Sequence, residues 1–201
     1  MKVNPKSRQL LYCVFTALMA AMIFVTTYFL KIPIATPAGQ TMLKVSNILV
    51  LLGGMLFGGV YGGLAAGLGN AMYDLLDPVY IASAPLTFIK FFAMAFVCGI
   101  ISNWGDKEPS INRRAAGAVS GAVLYWILYI TESIVKLMTA GSAFSAAAAA
   151  CAPKMITSGI NQTVAVIGSL LLIVPISKAV SKYLPKNIKS SEETAKKHDI
   201  D

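Results

Sequence analysis

Ten polar side chains are set into otherwise apolar stretches and carry most of the chemistry on offer: Lys44, Asn47, Asn70, Asp74, Lys90, Glu132, Lys136, Lys154, Asn161 and Gln162. Ionisable groups at membrane depth are costly, so by default they mark a site. Their types suit holding a ligand rather than transforming one. The sequence has no G-x-x-x-x-G-K-[ST] phosphate loop, no H-E-x-x-H and no G-x-S-x-G elbow, so neither ATP hydrolysis nor proteolysis has visible machinery. Gly67-Leu68-Gly69 lacks the third glycine of a dinucleotide site. Cys13, Cys98 and Cys151 form no C-x-x-C or Cys/His pattern, and the one histidine, His198, lies in a polar tail, so metal and disulfide chemistry lack ligands. The expectation is a non-enzyme without a cofactor.

The candidate substrate contacts are Lys90, Glu132, Lys136, Asn161 and Asn47, with Tyr80 and Tyr129 as aromatic walls. Phe88, Tyr125 and Trp126 are near enough in sequence to join them. Such a lining suits a flat ligand with hydrogen-bonding edges. Each residue also has a plainer explanation. Asp74 and Lys90 can neutralise each other across two helices, and Glu132 and Lys136 stand four residues apart in the order that favours a pair within one helix. Asn161 and Gln162 can serve as interhelical hydrogen bonds. Asp74 is read as structural rather than ligand-binding.

The elements that position these groups follow from composition. With 56% hydrophobic and 13% charged residues in a chain of 201, a soluble fold is excluded, and an all-α polytopic membrane protein is expected. A net charge of +8 would suggest nucleic acid in a soluble domain. Here the basic residues sit mainly at segment ends, as membrane topology requires, so nucleic acid is discounted. Six transmembrane helices are expected, at about 10–30, 44–59, 62–76, 86–102, 115–139 and 153–177, each set against a hydrocarbon core about 30 Å thick. Together they make one membrane domain over residues 1–184, followed by a charged tail over 185–201. The basic start, Lys2, Lys6 and Arg8, imitates a signal peptide, but the apolar run after it exceeds a signal's 7–15 residues. Residues 32–43 and 77–85 are expected as loops, and Pro153 as the first-turn proline of the last helix.

Lysine and arginine placement sets the orientation. The N-terminus, the loop at 103–114 and the tail hold Lys2, Lys6 and Arg8, then Lys107, Arg113 and Arg114, then six lysines from Lys178 to Lys197, twelve of the 17 basic residues. Both termini are expected in the cytoplasm of a bacterial-type plasma membrane. All ten polar residues then fall toward the outer leaflet, which describes a chamber opening outward and argues against a continuous pore. Small-residue steps form the second signal: Ala17/Ala21, Gly59/Gly63/Gly67 and Gly117/Gly121. The glycine sets read as internal packing, and Ala17/Ala21 as a possible partner face.

The block from about Pro37 to Gly99, with its SNILVLLGGMLFGGVYGGLAAGLGNAMYDLL hairpin and following APLTFIK, resembles the substrate-binding S components of energy-coupling factor (ECF) vitamin transporters. It is similar to the group that includes riboflavin, pyridoxine and hydroxymethylpyrimidine carriers. The resemblance implies a six-helix fold binding one vitamin on the outer side, and docking through Ala17 and Ala21 on a membrane T component coupled to two cytoplasmic ATPases. It implies a high-affinity subunit of an ABC-type importer, with the 33–43 loop closing over the ligand. The competing expectations are a self-sufficient small secondary transporter or channel, and a scaffold without a ligand.

Overall fold

The computed structural model describes residues 5–105 and 109–180. The expected tail at 185–201, Lys2 and Lys107 lie outside the described residues. Five helices account for nearly all of it: α1 (Pro5–Phe29), α2 (Ser46–Leu76), α3 (Ala84–Ser102), α4 (Ile111–Thr139) and α5 (Phe144–Val180). Each carries a stretch long and apolar enough to cross a membrane.

α2 is not one rod. Gly58 interrupts it at φ 81° and ψ −178°, a backbone that an L-residue rarely adopts. The chain folds back there: a Cβ on Gly62 would stand 2.6 Å from the Gly53 carbonyl oxygen, although nine helical residues in line would span about 13.5 Å. The contacts with α3 give the same result. Along the first arm, the Cys98 thiol donates to the Leu51 carbonyl and Asn103 Nδ2 to the Met55 carbonyl, so this arm runs parallel to α3. Along the second, Gly59, Gly63 and Gly67 pack in turn on Phe96, Phe92 and Phe88, so this arm runs antiparallel. The arms on either side of Gly58 overlap the expected segments 44–59 and 62–76, except that Lys44 belongs to the strand before α2.

The glycine steps are used up in packing. Gly54 abuts the Ala95 carbonyl and Gly99 abuts the Gly58–Gly59 peptide, where any side chain would collide with backbone at 2.5 Å. Gly117 and Gly121 sit on the Cys98–Ser102 turn and on Met94 of α3. Close backbone approach of this kind replaces the hydrophobic drive that is absent between helices in lipid. α1 lies along both arms: Tyr12 stacks on Tyr61 at 5.1 Å, Phe15 on Phe57 at 6.0 Å, and Ala20 meets Gly69.

Three boundaries depart from expectation. The segment between α1 and α2 is not a loop but an antiparallel pair, β1 (Lys31–Ile34) and β2 (Thr41–Lys44), in the register Lys31↔Lys44 to Ile34↔Thr41. Pro33 is tolerated because a two-stranded ribbon leaves each strand an unpaired edge. α4 starts at Ile111, before the expected 115, because the Ser110 hydroxyl caps it by accepting from the Arg113 amide at 3.4 Å. α5 starts at Phe144, so Pro153 lies inside it rather than in its first turn. The run Ala146–Ala150 favours helix strongly enough to extend the element past the one hydrogen bond that Pro153 deletes.

Candidate ligand-binding site

The bundle has two unlike ends. One gathers the Gly58 turn and the α3–α4 connection, where Asn103 reaches Met55, and also the end of α5, where Arg114 donates to Ser177 at 3.4 Å. The other gathers the β-hairpin, residues 77–83 and the tops of α3, α4 and α5. A cavity of about 270 Å³ lies within that second end. All seven residues expected to contact substrate line it: Asn47, Tyr80, Lys90, Tyr129, Glu132, Lys136 and Asn161.

Of the two ion pairs that the sequence suggested, the ionic centre keeps Glu132–Lys136 and replaces Asp74–Lys90. Lys90 on α3 is paired with Glu132 on α4, not with Asp74, and Glu132 takes a second ammonium from Lys136 at 2.6 Å. Lys136 also donates to the Ser83 hydroxyl at 2.8 Å, tying the turn before α3 to α4. Asp74 is buried among the lining residues, within hydrogen-bonding reach of Thr87. One aromatic wall runs from α3 to α4: Phe91 meets Tyr125 at 4.6 Å, and Tyr125 stacks on Tyr129 at 5.9 Å with their planes 7° apart. Two expected wall members are elsewhere. Phe88 packs on Gly67, and Trp126 faces away and donates to the Met155 carbonyl at 3.1 Å. Phe91, Lys44 and Lys154 also line the cavity. The depth pattern had placed both lysines at this end without singling them out.

The β-hairpin is fastened over the cavity by side chains. Asn161 on α5 accepts from the Lys44 backbone amide at 3.0 Å and donates to the Met42 carbonyl at 2.7 Å, acting as a further strand on the free edge of β2. Tyr129 donates to the Thr41 hydroxyl at 2.8 Å. On the other strand Lys31 pairs with Asp77 at 3.5 Å and donates to Tyr73, whose hydroxyl in turn donates to Asp77 at 2.5 Å. That hydrogen bond, foremost, holds the Asp77 carboxyl below its ordinary range, with Lys31 adding to it. Asn161 is thus committed to positioning the hairpin. Asn161→Ala should strip two backbone groups of their partner, at about 1–3 kcal/mol for each group left buried and unpaired. The expected readout is faster hydrogen exchange at the Lys44 amide; unchanged protection would refute this positioning role.

Among the described residues, two buried atoms of the lining make no hydrogen bond. Asn47 Oδ1 and the Tyr80 hydroxyl are buried in the lining without a hydrogen bond. Burial pushes Tyr80 up to about 12, so it remains a hydrogen-bond donor at neutral pH. Buried polar groups are almost always satisfied, so these two orphans, both on residues that line one cavity, stand out.

A bundle of apolar helices with an aromatic, charged cavity confined to one end defines a multi-pass membrane protein with a small-molecule chamber. A family model described as "ECF-type riboflavin transporter, S component" matches residues 9–179, and the chain belongs to that family. The family is a transporter component and not an enzyme. A curated relative from Pyrococcus woesei, described as "Uncharacterized protein in gap 3'region", is 31% identical over 112 residues, covering 55% of this chain and 70% of that protein.

Proposed function

We propose that this chain is the substrate-binding subunit of an ECF-type importer, taking a vitamin or vitamin precursor into the chamber under the β-hairpin. The observation that carries the reading is the chamber itself, in which the Phe91–Tyr125–Tyr129 wall, the Lys90–Glu132–Lys136 centre and the orphaned Asn47 and Tyr80 groups converge. A ring stacks on the wall while its edges take the polar groups. The volume of about 270 Å³ is small for a ligand pocket and suits a single flat heterocycle, a hydroxymethylpyrimidine- or pyridoxine-like compound or a flavin.

In this reading the two arms of α2 cross separately, giving six crossings with both termini in the cytoplasm and the chamber facing outward. The first arm, Ser46–Phe57, is only about 18 Å long, which is tolerable because protein rather than lipid surrounds most of it. A membrane T component docks on α1 and couples the subunit to two cytoplasmic ATPases, which drive release inward. Below the chamber, Val50, Leu51, Met94 and Ala95 are completely buried and form an apolar layer. That layer disfavours a continuously open channel.

Purified protein should bind one member of a B-vitamin panel with nanomolar to micromolar affinity in calorimetry without ATP. Mass spectrometry of ligand carried through purification from cells would identify it. The absence of binding across the panel would remove the vitamin reading, and uptake in liposomes without ATPases would replace the importer with a secondary transporter.

A further inference from the structure

Apart from the termini and residues 103–114, the basic residues of this chain are Lys31, Lys44, Lys90, Lys136 and Lys154. The last four line the cavity, against only two carboxylates, Asp74 and Glu132. Glu132 is already shared by Lys90 and Lys136, and Asp77 is engaged by Lys31. Among the described residues, neither Lys44 nor Lys154 has a carboxylate within ion-pair distance. Lys154 is nevertheless only 8% exposed.

Desolvating an ammonium without a counter-ion is expensive, and buried cations are ordinarily paired. Ring contacts make up part of the difference. Lys154 Nζ stands 5.9 Å and Lys90 Nζ 5.3 Å from the Tyr129 ring centroid, and Lys44 Nζ stands 5.3 Å from that of Phe91. Such contacts fall well short of offsetting a buried charge's desolvation. The aromatic wall therefore carries an unpaired ammonium near each end, Lys44 at Phe91 and Lys154 at Tyr129. Lys154 also reaches the hairpin turn, where a Cβ on Gly39 would lie 3.8 Å from its Nζ. This surplus stands on the side of the membrane where lysine is normally sparse, if the termini are cytoplasmic.

We propose that the chamber selects an anionic ligand, a flat heterocycle bearing a carboxylate or phosphate, with the oxyanion neutralising Lys154 and with Lys44 adding positive charge at the other end of the wall. The proposal rests on the vitamin-binding reading above and narrows its substrate class. Anion capture also links the ligand to closure, because Lys154 stands beside the turn of the hairpin and Lys44 ends its second strand. Lys44 supplies a separate signature. Burial lowers it to about 8, with Lys90 and Lys31 lowering it and Asp74 and Asp77 opposing; Glu132 and Lys154 face the same cavity from α4 and α5. Affinity for an anion should therefore fall as pH rises through about 8, while affinity for a neutral analogue should not.

The test is calorimetry on the purified full-length protein with matched pairs that differ in charge: nicotinate against nicotinamide, pyridoxine 5′-phosphate against pyridoxine, and riboflavin 5′-phosphate against riboflavin. In the pair that binds, the anionic member should bind about tenfold tighter or better, as a charge-assisted contact implies. Lys154→Gln should reduce that ratio to below about threefold, while Lys154→Arg should retain it, with thermal midpoints confirming that both variants are folded. A neutral member binding as tightly as its anion, or a ratio indifferent to Lys154→Gln, overturns the anion proposal and leaves the vitamin reading standing. If no member of any pair binds and the wider vitamin panel is also silent, the vitamin reading fails and the anion proposal falls with it.

Discussion

Glu132→Ala is expected to cause the largest loss of stability of any single change in the chamber. The carboxylate faces two ammonium groups, one arriving from α3 and one from its own helix. The Lys90 and Glu132 side chains are 10% and 13% exposed, so little water can replace a lost partner. Removing one member of such a pair leaves an uncompensated charge and costs about 3–5 kcal/mol, whereas replacing both by apolar groups can be close to neutral. The purified single variant should therefore show a clear fall in thermal midpoint, and Lys90→Met/Glu132→Leu should recover most of it. Equal losses in the single and double variants would mean that the two residues are not coupled. The same double variant separates structure from recognition. If Lys90 also contacts ligand, affinity should stay at least about tenfold weaker in Lys90→Ala and in the stable double variant, since a ligand group then loses its charged partner. Normal affinity in both would confine the pair to structure.

The depth of the polar groups was legible because a bilayer allows few places for lysine, asparagine or aspartate, so knowing where the spans lie nearly locates the chamber. The Gly58 hairpin was legible for a related reason. A run of six residues with four glycines, Gly58 to Gly63, provides both the unusual backbone at the turn and the close approach of the arms on either side. The pairing of Lys90 was not, because spacing along one helix points Glu132 only toward Lys136, and the cross-helix contact depends on how α3 and α4 are rotated. The β-hairpin escaped notice because four-residue strands, one of them interrupted by Pro33, show no usable alternation, and Asn161, which helps to hold them, is over a hundred residues distant. Pro153 misled about α5 because one proline costs a hydrogen bond but need not end a helix whose preceding turn is polyalanine.

The small-residue steps lead to the second large effect, replacement of Ala17 or Ala21 by tryptophan. Three such steps are present, and the structure fills two of them. Gly59, Gly63 and Gly67 are covered by phenylalanines of α3, and Gly117 and Gly121 by the Cys98–Ser102 turn and Met94. Ala17 and Ala21 instead remain exposed on α1, beside the exposed Val14, Leu18, Met22 and Val25, while Thr16, Ala20 and Ile23 take the inward face. A small-xxx-small step earns little against lipid alone, because its benefit is the close approach of a second helix. If the T component supplies that helix, tryptophan at either position holds the two backbones apart without touching the chamber at the far end of the bundle. Ligand affinity and thermal midpoint of the purified subunit should therefore remain within about twofold and a few degrees of the parent. Uptake by cells carrying the complete transporter should be lost. Retained uptake would remove α1 as the docking surface, whereas loss of binding together with uptake would show that the face serves the subunit's own fold.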